Sequence, residues 1–324
     1  MRRLTGALLA AALLAAIPAT ADAATRDQLT LGIYPAGYAA VDTPDPAKDD
    51  YPKIISSLNT LQGQHRQFGV RAYADFNPDP RHNAVAPFVP FLGHGRKLDL
   101  VLVHDPSATP QQWLDFVRAQ VRYAGPFTNS LSLGVDANIP GLPWSMSRDD
   151  LVNGLAVAKQ EARHTGLKIG FDVAAGPQDT DFWTSLKSAN LRPDFIGVEV
   201  YPDVWFPAPG DHGQQAVGLL TDVRDTKMPL AGFGSSVPIM ISENGYTSDT
   251  AGHTQADQAA ALKSEFIAIT GAARRLNITA YDLYMLRDHP TVHEYNLDHL
   301  GLLNADYSPK PAWRTMVDLY RAYP

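Results

Sequence analysis

The residues of this chain best placed to do chemistry sit where short apolar runs stop. The clearest run is Pro238-Ile239-Met240-Ile241-Ser242-Glu243-Asn244-Gly245-Tyr246. Its apolar part is too short for a helix and too apolar for a surface strand, and it ends in a carboxylate, an amide and a glycine. Buried parallel strands read this way, with polar groups at the carboxyl end where the next loop begins. A second run, residues 131–135, ends in Asp136-Ala137-Asn138. Two carboxyls on opposing strands, one ionised and one protonated, can do nucleophilic and general-acid work on a glycosidic bond. Their surroundings must push their pKa values apart, because like charges held close resist double ionisation.

Holding such groups takes a scaffold, and the chain alternates strand and helix patterns throughout. Strands are expected at residues 29–34, 70–76, 98–103, 131–135, 168–173 and 195–200, in the run that carries Glu243, and at 278–286. Apolar residues at helical spacing predict helices between them. Examples are Ile54, Ile55, Leu58 and Leu61 in 51–61, and Trp113, Phe116, Val117 and Val121 in 110–123. Ser147 and Asp150 resemble a capping box ahead of Leu151, Leu155, Ala158 and Ala162. Further helices are expected at 182–189, at 214–223, around Ala259, Leu262, Phe266 and Ile269, and at 312–323, with a helical piece at 84–95 broken by Pro87 and Pro90. Eight strand-then-helix units imply parallel strands joined by right-handed crossovers. Within about 300 residues they favour a closed (β/α)8 (TIM) barrel over an open sheet. No Gly-x-Gly-x-x-Gly follows the first strand to argue for a nucleotide-binding open sheet.

The functional face of such a barrel is built from the carboxyl ends of its strands. Those positions here include Tyr34, Asp75, Asn77, His104, Asp136, Asn138, Asp172, Glu199, Tyr201, Glu243, Asn244, Tyr284 and Asp288. Glu243 reads as a catalytic carboxylate, against the plainer role of a helix cap or an arginine partner. Asp136 reads as its counterpart, against a simple turn. Glu199 and Tyr201 either shape a substrate site or form an ordinary barrel-mouth network, and Tyr201 can donate to the nucleophile. His104 has too few companion ligands for a catalytic zinc and is assigned to substrate lining or structure. Trp144 and Trp205 follow strands four and six, where aromatic faces can stack on sugar rings or merely pack loops. Arg71 begins the barrel side of strand two, to orient a carboxylate or to pair within the core. Histidines 289, 293 and 299 are expected at the solvated surface. Trp113, Trp183 and Trp313 are expected in the core.

Composition bounds the rest. Met1-Arg2-Arg3, an apolar run over residues 7–17 and Ala21-Asp22-Ala23 make a secretory signal peptide, cut after Ala23 or Ala24. The expected organisation is a signal peptide at 1–24 and one barrel domain at 25–324, secreted or periplasmic. The apolar run is shorter than the ~20 residues a membrane span needs. The chain has no cysteine, which excludes thiol catalysis and disulfide support. A net charge of −7 offers no basic patch for nucleic acid. No metal or cofactor is expected.

Four stretches together resemble one superfamily. Ile241-Ser242-Glu243-Asn244-Gly245 is similar to the strand-seven nucleophile motif of retaining (β/α)8 glycoside hydrolases. Leu133-Gly134-Val135-Asp136-Ala137-Asn138 is similar to that superfamily's strand-four acid/base motif, Asn-Glu-Ala-Asn, with Val135 in place of Asn and Asp136 in place of Glu. Val198-Glu199-Val200-Tyr201-Pro202 resembles its strand-six end, with Glu where Asp is common. Leu286-Arg287-Asp288 and the segment from Gly301 to Ala312 resemble its strand-eight loop and closing helix. The resemblance implies an O-glycosyl hydrolase acting on a carbohydrate without cofactor, with Glu243 as nucleophile and Asp136 as acid/base. On that reading Asn138, Glu199, Tyr201 and Tyr284 (where the superfamily usually has Trp) hold the sugar, and His104, Trp144, Trp205 and Asn244 are further substrate-contact candidates by their position. The altered strand-four motif keeps open a second reading, a barrel that binds glycans without hydrolysing them.

Overall fold

Runs of β-branched and leucine residues too short for helices become eight parallel strands, and the amphipathic stretches between them become helices that cover those strands. A computed structural model describes residues 29–36, 49–125, 127–176, 178–204, 211–249, 252–289 and 296–323. The expected signal peptide, Trp205 and His293 lie outside the described residues. The strands are β1 (Thr30–Ile33), β2 (Phe68–Asp75), β3 (Arg96–Val103), β4 (Thr128–Leu133), β5 (Lys168–Ala174), β6 (Phe195–Val200), β7 (Ile239–Asn244) and β8 (Ile278–Leu283). They hydrogen-bond in chain order, and β8 pairs in parallel with β1 to close the barrel. The helices are α1 (Tyr51–Gln62), α2 (Pro110–Ala124), α3 (Arg148–Ala162), α4 (Thr180–Lys187), α5 (His212–Asp222), α6 (Met228–Leu230), α7 (Gln255–Leu276) and α8 (Pro311–Ala322). This is the single-domain (β/α)8 barrel that the alternation implies.

Several boundaries differ from expectation for local reasons. The stretch around Pro87 and Pro90 is one 3-10 segment, Ala86–Phe91. Strand β4 begins and ends earlier than the apolar run suggests. Ser130 and Ser132 continue the strand inwards, bonding Asp99 and Asp172, while Gly134 and Asp136 leave it at φ 76° and 47°. Helix α5 continues through a π-helical turn, Val223–Lys227, into α6. Strand β8 stops at Leu283 because Met285 and Leu286 turn away to pair with Leu300 and Tyr34. His289 is buried rather than solvated.

The outer faces of the strands meet the helices in one apolar core. Trp113 and Trp183 are buried within it, and Trp313 packs against it. The barrel interior is different, because it holds charge. Alternate residues of a strand face the same side, and on β2 this turns Arg71 and Tyr73 inwards. Asp99, Asp172 and Asp282 join them, all buried. Glycines make the room: a Cβ on Gly32 would overlap Asp282 Oδ1, and one on Gly197 would overlap Asp172 Oδ1.

Burial pushes Asp99 up from 3.8 to about 6, against the opposing pull of Ser130 and Arg71. Asp282 is held well above the usual carboxylate range by burial first and by Asp99 second. A carboxyl whose folded pKa is raised binds more protons folded than unfolded. It therefore contributes stability that is fully present below its unfolded value and is lost as pH rises through the folded one. For Asp99 that window runs from 3.8 to about 6. The loss should be on the order of 1–3 kcal/mol. Urea unfolding at pH 4, 5, 6 and 7 should show it, and Asp99→Asn should flatten that part of the curve. An unchanged pH dependence in the variant would contradict the assignment.

Candidate active site

Glu243 reaches the barrel interior through a bulge. Across β6 and β7, Val198 pairs with Ile241 and Glu199 with Glu243, so Ser242 is an extra residue in β7. Such a bulge re-aims the residue that follows it. Met240 clusters with Phe195 and Ala280 inside the barrel, and Ser242 Oγ lies 3.1 Å from a Cβ built on Gly197. After the bulge Glu243 also points inwards, and Asn244 returns to the helix side. Gly245 closes the motif because a Cβ there would overlap Tyr284 O.

Three donors hold the Glu243 carboxylate. Tyr201 Oη donates to Oε2 at 2.6 Å, Arg71 Nη2 donates to Oε1 at 3.1 Å, and Tyr73 Oη donates to Oε1. Tyr73 in turn accepts from Arg71 Nε at 2.7 Å. Arg71 Nη2 also donates to Asp172 Oδ2 at 2.8 Å, so one guanidinium serves two carboxylates. Burial, reinforced by Glu243, pushes the Tyr201 phenol well above its ordinary value. The Tyr73 phenol is also well above it, through burial that outweighs the opposing pull of Arg71. Both phenols therefore keep their protons and act as donors.

Asp136 is the half-buried residue of a left-handed turn just beyond β4. Its backbone N–H donates to Glu199 Oε1 at 3.2 Å. Burial raises its pKa, with the charges of Glu243 and Asp172 adding and hydrogen bonds from Glu199 and Trp144 opposing. Trp144 Nε1 is buried without full hydrogen-bond geometry to any acceptor, so its pull on Asp136 is weak. Glu199 stands well above the carboxylate range through burial first and the neighbouring Asp136 second. The site thus joins Glu243, paired with an arginine, to two carboxyls that burial makes harder to ionise, and attack at one atom with protonation at another needs such unlike surroundings. Aromatic rings line it on the β8 and β1 side. Tyr284 stacks on Tyr34 with centroids 5.2 Å apart and planes 10° apart, and Tyr73 meets both edge-on.

The structure brings Glu243, Asp136, Glu199, Tyr201, Tyr284 and Trp144 to this face and directs three other candidates elsewhere. Asn138 uses its side chain on the barrel wall. Its Oδ1 accepts from Ala174 N at 2.8 Å, while Nδ2 donates to Ala174 O at 3.0 Å and to Asp179. Asn244 points outwards, donating to Val200 O and Glu265 at 2.8 and 2.7 Å and accepting from Tyr281 at 2.6 Å. His104 holds the loop after β4, with Nδ1 2.8 Å from Ser145 O and its ring edge-on to Trp113. Sequence reasoning missed Tyr73, whose signal was its spacing of two from Arg71 on β2. Among the described residues, no three His, Asp or Glu side chains group as metal ligands, and no helix is long and apolar enough to cross a membrane.

No protein-family model matches the chain, and no curated protein matches it in sequence. Solved structures do resemble it. A glucosidase from Croceicoccus marinus aligns with a TM-score of 0.68 at 18% identity, over 92% of this chain and 68% of that one. A GH5_18 protein from Bifidobacterium longum, solved as a single-residue variant in complex with Manb1-4GlcNAc, gives 0.64 at 15% identity over 91% and 78%. A family 39 glycoside hydrolase from Bacteroides cellulosilyticus gives 0.64 at 15% identity over 91% and 64%. The fold is that of the (β/α)8 glycoside hydrolases.

Arg71 is 2% exposed and faces two carboxylates. Removing one partner of such a pair leaves buried charge uncompensated, which typically costs about 3–5 kcal/mol. Arg71→Met should lower unfolding stability in urea by that much at pH 7. A loss below about 1 kcal/mol would show that Asp172 and Glu243 do not depend on it.

Proposed function

We propose that the protein is an exported glycoside hydrolase that cleaves O-glycosidic bonds with two carboxyl groups. The observation that carries this reading is Glu243, a buried carboxylate oriented by Arg71, Tyr73 and Tyr201 at the strand carboxyl ends of the barrel. In this mechanism Glu243 attacks the anomeric carbon while Asp136 protonates the leaving oxygen. Asp136 then takes a proton from the water that releases the sugar from Glu243. Tyr201 and Arg71 hold the nucleophile's two oxygens apart in direction, so that one lone pair can be aimed at the sugar. Trp144 and Tyr284 supply apolar faces for the pyranose ring. The glycoside hydrolase neighbours support the reaction class, and residues 1–24 support export.

Non-catalytic glycan binding is the second reading, favoured by the shortened acid Asp136 and by Val135, which has no group to bond a sugar hydroxyl. The two readings separate on a panel of aryl glycosides and polysaccharides assayed for phenol and reducing-sugar release. The glycosidase reading expects turnover that falls on the order of 10⁴-fold in Glu243→Gln. It expects a fall of roughly 10²-fold in Tyr201→Phe, which loses one donor to the nucleophile. Both variants should keep the wild-type circular dichroism. Sugar binding by calorimetry without turnover would favour the second reading.

A further inference from the structure

Glu199 and Asp136 stand in an arrangement that a single acid/base residue does not need. Glu199 rises from β6 beside Glu243 in the strand register, and the left-handed turn after β4 brings Asp136 to it. The Asp136 N–H donates to Glu199 Oε1 at 3.2 Å, which sets the two carboxyl groups beside each other. Two carboxyls so placed can hydrogen-bond each other only when one of them carries a proton, since a carboxylate has none to donate.

We propose that Glu199 is the proton-holding partner of Asp136, so that the two carboxyls act as one acid with a single shared proton, and that this pair protonates the leaving oxygen. The proposal rests on the glycosidase reading above. In the first step the Glu243 oxygen bonds to the anomeric carbon. The bond from that carbon to the leaving oxygen breaks, its electrons stay on the oxygen, and the oxygen takes the pair's proton. Both carboxyls are then ionised. In the second step the pair takes a proton from a water whose oxygen bonds to the anomeric carbon as the bond to Glu243 breaks. The pair ends with the one proton it began with.

The surroundings favour this sharing. Facing the pair are Glu243 from β7, Asp172 from β5, Arg71 from β2 and the Trp144 indole from the loop after β4. Arg71 is already bonded to Glu243 and Asp172, and among the described residues no ion pair reaches Asp136 or Glu199, so the pair's last proton is hard to remove. Such a pair titrates as a unit, with a low first step and a high second one. The second carboxyl also offsets the chemistry of Asp136, whose side chain is one methylene shorter than the Glu it stands for.

Wild type, Glu199→Gln and Asp136→Asn can be compared on aryl β-glucosides and β-mannosides carrying either a phenyl or a 2,4-dinitrophenyl leaving group. Dinitrophenolate departs without acid help and phenol does not. The pair predicts that Glu199→Gln loses roughly 10–100-fold on the phenyl glycoside and only a few-fold on the dinitrophenyl one. Its alkaline limb of kcat/KM should also move down by about one pH unit or more. Asp136→Asn should show the same split between leaving groups. An equal loss on both substrates, or an unmoved limb, would reduce Glu199 to a structural residue and overturn the proposal. If the wild type cleaves none of these glycosides, the glycosidase reading fails on its own, and infrared difference spectra still read the shared proton. Glu199→Gln should then lose one protonated-carboxyl band present in wild type near neutral pH, and Asp136→Asn should move that band's titration to lower pH. No change in either variant would overturn the pair.

Discussion

The barrel interior depends on one guanidinium. Arg71 lies buried among Asp172, Glu243, Glu199, Asp99 and Asp282, and its direct bonds go to the first two. Two unit charges 4 Å apart interact by about 4 kcal/mol at an effective dielectric constant of ~20. Holding an ordinary carboxyl protonated at pH 7 costs about the same, since it means lifting its pKa by roughly three units. A further ionised acid among these groups would meet repulsion as well as desolvation, so both effects push the carboxyl pKa values upwards. Asp99, Asp282 and Glu199 are all raised, with burial the leading cause, and Asp172 is raised as well although Arg71 bonds it directly and pulls the other way. One cation therefore works against burial at Asp99, Asp172 and Asp282 alike.

That arrangement needs a backbone that aims each group. A regular β7 would alternate Ser242 inwards and Glu243 towards the helices, and the bulge at Ser242 is what lets Glu243 meet Arg71, Tyr73 and Tyr201. Asn244 then becomes a strut. It ties β7 to β6 through Val200 O and to α7 through Glu265, fixing the strand end that carries Glu243. Asn138 does the same for the β4 loop, binding both backbone groups of Ala174. Motif residues beside a reactive group can thus be framework rather than substrate contacts.

The barrel was legible because outward strand faces and helix faces follow simple periods of two and 3.6. The polar strand ends were legible at Glu243, Asp136 and Tyr201 because polar residues stop apolar runs at just those points. What could not be read was direction. Asn138 and Asn244 stand at strand ends yet turn away from the mouth, which depends on a bulge and a left-handed turn that no periodicity announces. The polar interior was hidden for a related reason. Ser130, Ser132, Asp99 and Asp282 look like solvent-facing positions in a linear pattern, and only barrel closure places them opposite Arg71 and the glycines that give them room.

The central claim is that Glu243 bonds covalently to the sugar. The most direct test is incubation with 2-deoxy-2-fluoro aryl glycosides of the sugars the protein turns over, followed by proteolysis and mass spectrometry. Fluorine at C2 slows both steps, and a good leaving group lets the first outrun the second, so a true intermediate accumulates. The account predicts one sugar adduct, on the peptide containing Ser242-Glu243-Asn244, and hydrolysis of ordinary substrates with retained anomeric configuration. An adduct on another carboxyl, or inverted products with no adduct, would contradict it.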